Sequence, residues 1–156
     1  MTYTDKDIEK TNTGYSLPFT LPNGESKRIN AQYKDGLAEL VNDLIDMERQ
    51  KMAAMEPYIN GIKQLVDLIL TQDGSGARAA AQVLLSAHNG YHYQIDLPDL
   101  CNLDNEYYLH ALNVIHGRVK TMIEPHNLID NGDDIFEELE KRWQYLNVRE
   151  RYKKYY

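Results

Sequence analysis

The stretch SAHNGYHYQIDLPDL, residues 86–100, sets two histidines, two tyrosines and two aspartates within fifteen positions. Such a mixture has the groups to ligate a metal or to exchange protons. His88 and His92 stand four apart, which on a helix would put both imidazoles on one face. Asn89-Gly90 lies between them and breaks that register, and no His-Glu-x-x-His or cysteine pair accompanies them. Ordinary histidines at the surface or core edge fit better. His110 and His116 are six apart and fall on different helix faces. Asp96, Asp99 and Asp104 would serve as paired carboxylates, but their spacing suits the capping of two successive helices. Cys101 sits among Leu97, Leu100 and Leu103 with no basic neighbour, so a buried thiol acting as a small hydrophobe is expected. DGSGAR, 73–78, offers small residues at a helix start, where backbone N–H groups hold anions. It lacks the preceding strand and the Gly-Lys-Ser/Thr ending of a phosphate loop, and reads as punctuation. No catalytic, metal-ligating or cofactor-binding residue, and no cofactor, is assigned.

The elements that would carry these residues are mainly α-helical. Residues 1–14 read as weakly structured, with one short helical turn from Asp5. In YSLPFTLPNGESKRIN, Asn23-Gly24 is a strong hairpin turn. Pro18 and Pro22 remove ladder donors, so the hairpin is short with an exposed edge. Leu37, Leu40, Val41, Leu44, Ile45, Met52, Met55, Ile59, Ile62, Val66 and Ile69 keep one apolar stripe at helical spacing. Pro57 predicts a kink or break near 53–56. Met47, Met52 and Met55 lie close by and read as core sooner than as an adaptable docking surface. TQDGSG, 71–76, ends this helix.

A second long helix starts at Ser75 or Gly76, with Ala80, Val83, Leu84 and Ala87 inward, and stops at Asn89-Gly90, expected as a left-handed cap. Residues 91–95 are short and extended. A third helix follows Asp104 and carries Tyr108, Leu112, Ile115, Val119 and Met122 on one face; Pro125 ends it. The last opens at Asp133 or Asp134, turns Ile135, Phe136, Leu139, Trp143 and Leu146 inward, and continues through Val148 toward the end of the chain. The expected fold is thus a bundle of four to five helices with a small N-terminal β-hairpin. It is organised as an arm over 1–30, a long kinked helix over 31–70 and a helical bundle over 75–156.

The 156 residues match the ~100–200 of a single domain. One cysteine excludes an internal disulfide and fits a reducing, cytoplasmic setting. The N-terminus MTYTDKDIEK lacks the pattern of a signal peptide, and the longest apolar stretch, around Ile62–Leu70, is too short to span a membrane. The formal charge of −7 argues against a general nucleic-acid coat. The charge is unevenly placed. Residues 124–140 hold seven acids and no Lys or Arg, whereas 141–156 hold six basic residues and one acid. The tail RERYKKYY alternates cations and aromatics. Three readings stay open for it: phosphate and base contacts, a protein interface, or a solvated helix end whose cations suit its negative pole.

SGARAAAQVLLSAHNGYHYQIDLPDLCNLDNEYYLHALNVI, followed by a loop and IFEELEKRW, resembles a family of small bacterial domains of unknown function. They are carried on plasmids, integrative elements and phages of proteobacteria. The shared pattern is an S-G-A-R helix start, an LL core, an N-G stop, then D-L-x-D-L-x-x-L-D and a short final helix with an aromatic near its end. It covers roughly 75–145 and implies an all-α fold and a mobile-element home, with no catalytic residues to transfer. The resulting expectation is a non-enzymatic, protein-binding accessory protein, most concretely an inhibitor of a host defence complex of the anti-CRISPR kind. Its partner would be a host or element-encoded protein. The candidate contact residues are Asp130, Asp133, Asp134, Glu137 and Glu138 on the acidic run, and Arg149, Arg151, Tyr152, Lys153 and Lys154 on the tail. The alternative is a nucleic-acid accessory protein using that tail. A homo-oligomer through the 37–70 helix is also expected; membrane association is not.

Overall fold

A computed structural model describes residues 1–153, with the side chains of Arg151 and Tyr152 outside the description. It is mainly α-helical with a small antiparallel sheet near the N-terminus. Contacts divide the chain into two units, Met1–Ala53 and Ala54 onward. The division falls inside one helix, α1, Leu37–Thr71.

In the first unit, strands β1 (Glu9–Thr11), β2 (Gly14–Thr20) and β3 (Ser26–Ala31) pair in that order. The expected hairpin is β2–β3, with Gly24 in the left-handed region at φ 87°. β1 escaped sequence reading because Glu9-Lys10-Thr11 is exposed throughout and carries no apolar alternation. Pro18 lies beyond the last β2 residue that pairs with β1, where the strand has an open edge. Leu17, Phe19 and Leu21 recur at period two and bury against Leu37, Ala38, Val41 and Ile45 of α1. The helical turn expected from Asp5 is a 3-10 turn, Asp5–Asp7, closed by a capping box with Thr4.

In the second unit, α1 passes through Pro57 without interruption, so the break expected at 53–56 does not occur. Pro57 still deprives the Ala53 carbonyl of its helical donor, at the point where the two units divide. The remaining helices are α2 (Ser75–His88), α3 (Asn105–Thr121), α4 (Gly132–Arg142) and α5 (Val148–Tyr152). Short 3-10 turns at Leu97–Asn102, Pro125–Leu128 and Gln144–Leu146 connect them. One core joins Tyr58, Ile62, Leu65 and Ile69 of α1 to Val83, Leu84 and Leu85 of α2, Ala111 and Val114 of α3, and Phe136 and Leu139 of α4.

Two helix ends differ from expectation. α2 stops at Asn89, but Asn89 is not left-handed (φ −142°). The left-handed cap belongs to α3, at Met122 (φ 59°). The last helix does not run on: it ends at Arg142, and α5 restarts after Asn147, whose side chain accepts from the Arg149 N–H. Phe136 and Leu139 of α4 are buried as expected, as are Trp143 and Leu146 past its end, while Ile135 is half-buried against the same core. Among the described residues, no helix is long and apolar enough to cross a membrane.

Candidate functional site

The apolar row on α3 is not the face that packs. The helix buries Ala111, Val114, Gly117 and Thr121 instead. Small side chains there admit a neighbouring helix at short range, and the bulky row is displaced outward. Of that row, Tyr108 is 38% exposed, Leu112 39%, Val119 68% and Met122, the cap just past the helix, 79%, whereas Ile115 is half-buried against the core. Beside the start of this row, Leu97, Leu100, Cys101, Leu103, Asn105 and Tyr108 line an open groove of about 480 Å³. Cys101, expected to be buried, is exposed in it. The 3-10 turn packs Leu100 and Leu103 against the core, which leaves Cys101 on the outside.

The aspartates before α3 do other work than capping. Asp96 and Asp104 occupy N-cap positions, yet neither side chain makes a cap bond. Asp99 accepts from the Arg78 guanidinium at 2.9 Å and from the buried Gln82 amide at 2.6 Å. Gln82 in turn accepts the Asp96 N–H at 2.8 Å. Arg78 is thereby engaged in holding the 97–102 turn on α2. The arginine of DGSGAR therefore has a protein partner, Asp99.

The acidic candidates Asp130, Asp133, Asp134, Glu137 and Glu138 are all exposed. Glu137 pairs with Lys141 at 2.6 Å, which lowers the carboxyl and raises the ammonium relative to their ordinary pKa values. Asp134, Glu137 and Glu138 share an open cavity of about 570 Å³ with Lys141 and Arg142. Of the tail candidates, Arg149 stands in the first turn of α5 and Lys153 pairs with Glu150. The side chains of Arg151 and Tyr152, and Lys154 as a whole, lie outside the described residues.

Among the described residues, a cluster of imidazoles and carboxylates that spacing did not foretell lies at the end of α2. His88 is the last residue of that helix, and His126 sits in the Pro125–Leu128 turn, 38 residues on. Their Nδ1 atoms are 3.0 Å apart, with the rings edge to face at 4.7 Å between centroids. Both side chains are mostly enclosed, at 22% and 15% exposure. The buried Phe136 ring lies 4.9 Å from His88 and 6.2 Å from His126. Glu124 Oε2 is 3.5 Å from His126 Nδ1. On the far edges of the rings, Glu140 Oε1 is 3.9 Å from His88 Nε2 and Asp133 Oδ1 is 3.7 Å from His126 Nε2.

Burial, then the neighbouring His126, holds the His88 pKa below the ordinary imidazole range, against the pull of Glu140, Glu124 and Asp133. The backbone makes this meeting possible. Gly132 opens α4 so close to the turn that a Cβ there would lie 1.8 Å from the His126 carbonyl oxygen. His92 turns elsewhere, toward the Asn89 amide at 3.2 Å, so the pair read from sequence is replaced by His88 and His126. The only sequence signal was the helix stop at Asn89-Gly90, which puts His88 at an end where another segment can reach it.

Fold and surface together define, among the described residues, a small helical protein with a compact core in its second unit, an outward apolar face on α3 and a half-enclosed pair of imidazoles. The chain belongs to the DUF7673 family of unknown function, whose model matches residues 59–144. That match overlaps the resemblance read over 75–145 and extends it back into α1. No curated protein and no solved structure matches the chain.

Proposed function

We propose that this protein is a non-enzymatic accessory protein that docks on a partner protein through the outward face of α3. The observation that carries the reading is the row Tyr108, Leu112, Val119 and Met122, solvent-facing at helical spacing. Helix-in-groove recognition uses anchors of this spacing, and contiguous exposed apolar surface marks interaction sites. The seven acids of 124–140 follow the row directly in sequence, and the chain carries a net charge of −7. The partner that fits is therefore a protein presenting an apolar helix or groove flanked by basic residues, of the kind that handles nucleic acid. The resemblance to domains of plasmids, integrative elements and phages supports a mobile-element home in the cytoplasm of a bacterium. An inhibitor of a host defence complex is the most specific form of the reading.

The test is a pulldown from host lysate with the intact chain and with Leu112→Asp/Val119→Asp. The expected result is a basic protein captured at physiological salt by the natural chain and lost by the double variant. Elution of the chain alone, or capture unaffected by the substitutions, overturns the reading. Nucleic-acid binding at low salt that disappears on removing 149–156 would favour the tail reading instead.

A further inference from the structure

We infer that His88, His126 and Glu124 form a binding site for a divalent cation of the zinc class. Zinc–nitrogen bonds of about 2.0–2.1 Å in tetrahedral geometry place neighbouring ligand atoms about 3.3–3.4 Å apart. His88 Nδ1 to His126 Nδ1 is 3.0 Å, and His126 Nδ1 to Glu124 Oε2 is 3.5 Å. Ligand atoms of all three residues lie within 4.8 Å of one another. Glu124, 45% exposed, has room to turn its carboxylate and close the third edge.

The outer edges of the rings carry the second, independent sign. A metal-bound imidazole donates its remaining ring N–H to a carboxylate or carbonyl, which fixes the tautomer and strengthens the ligand. With both Nδ1 atoms on the cation, each outer Nε2–H has a carboxylate nearby, Glu140 at 3.9 Å from His88 and Asp133 at 3.7 Å from His126, both longer than a direct hydrogen bond and within reach of one by a side-chain turn. Each ring thus has its inner nitrogen toward the other ligands and its outer nitrogen toward an acid. Two imidazoles and a carboxylate suit a borderline ion better than calcium or magnesium, which favour all-oxygen shells. Three protein ligands leave one coordination position for water or for a donor from a docked partner. His88 ends α2, and Glu124 and His126 both belong to the turn at Pro125–Leu128, Glu124 as its N-cap, so the ion would tie two segments of the second unit together.

The experiment is titration of the intact protein with Zn²⁺ by calorimetry and with Co²⁺ by visible absorption, next to Glu124→Gln, Glu140→Gln and His126→Ala. The expected result is one ion per chain and the intense visible bands of four-coordinate cobalt. Affinity should fall at least about 100-fold in His126→Ala, and about 10-fold or more in Glu140→Gln, the range seen for outer-shell partners. Glu124→Gln alters a partly exposed side chain, so its far-ultraviolet circular dichroism should match the natural chain while its cobalt spectrum changes. Absence of binding at micromolar zinc overturns the inference. So does binding of unchanged stoichiometry and affinity in His126→Ala and Glu124→Gln.

Discussion

Gly117 of α3 lies against the ring of Tyr58 of α1: a Cβ at Gly117 would stand 2.2 Å from the Tyr58 Cγ. Nothing larger than hydrogen fits unless one helix moves. Gly117→Ala is therefore expected to destabilise the second unit by about 1–3 kcal/mol, as overpacked cores do, despite alanine's better helix propensity. Thermal unfolding checks this. A melting temperature equal to or above that of the natural chain would mean that the two helices have slack between them.

The same tyrosine gives a pH dependence. Tyr58 is fully buried, and its hydroxyl donates to the Ile123 carbonyl at 2.9 Å. Burial pushes its pKa up from 10 to about 12, with Arg118 opposing and Glu124 adding to the shift. A folded-state value above the unfolded one means that the folded chain holds the proton longer. The contribution is complete below pH 10 and is lost as pH rises from 10 through about 12. Urea midpoints measured across that window should fall more steeply for the natural chain than for Tyr58→Phe. At neutral pH, Tyr58→Phe should cost about 1–2 kcal/mol for the lost hydrogen bond.

Asp99 holds both Arg78 and Gln82, and Gln82 is 2% exposed. Asp99→Ala strands a buried amide and a partly buried guanidinium, with an expected cost of about 1–3 kcal/mol. Asp104→Ala, at an N-cap position whose side chain makes no cap bond, should stay within about 0.5 kcal/mol. Denaturant melts of the two variants test the assignment, and equal losses would contradict it.

Leu112→Asp and Val119→Asp replace exposed side chains, so each should shift stability by about 0.5 kcal/mol or less. Partner capture should nonetheless vanish. If thermal melts instead reveal large losses, the row is structural and the docking reading loses its support.

Cys101 lines the groove beside Tyr108 and is exposed. A maleimide should label it completely in the native protein, at a rate that denaturant raises little. Labelling that waits on unfolding would place the thiol in the core.

Much of the architecture was legible in the residues themselves. Asn23-Gly24, the stop at Asn89-Gly90, the apolar stripe Phe136, Leu139, Trp143 and Leu146, and the charge layout all report local preferences that hold whatever the rest of the chain does. Alternation and helical spacing are properties of neighbours in sequence, and they are read without knowing what each face meets. Only the tertiary structure decided which face of α3 turned inward. There, Ala111, Val114 and Gly117 outrank a bulkier row because helix approach depends on the smallest side chains between two axes, which no count of apolar residues reveals. β1 required β2 to exist before its polar residues had anything to pair with. His88 and His126 are 38 residues apart, and a spacing rule compares only residues within one element. Their meeting depends on the α2 terminus, the 125–128 turn and the bare backbone of Gly132 arriving at one place.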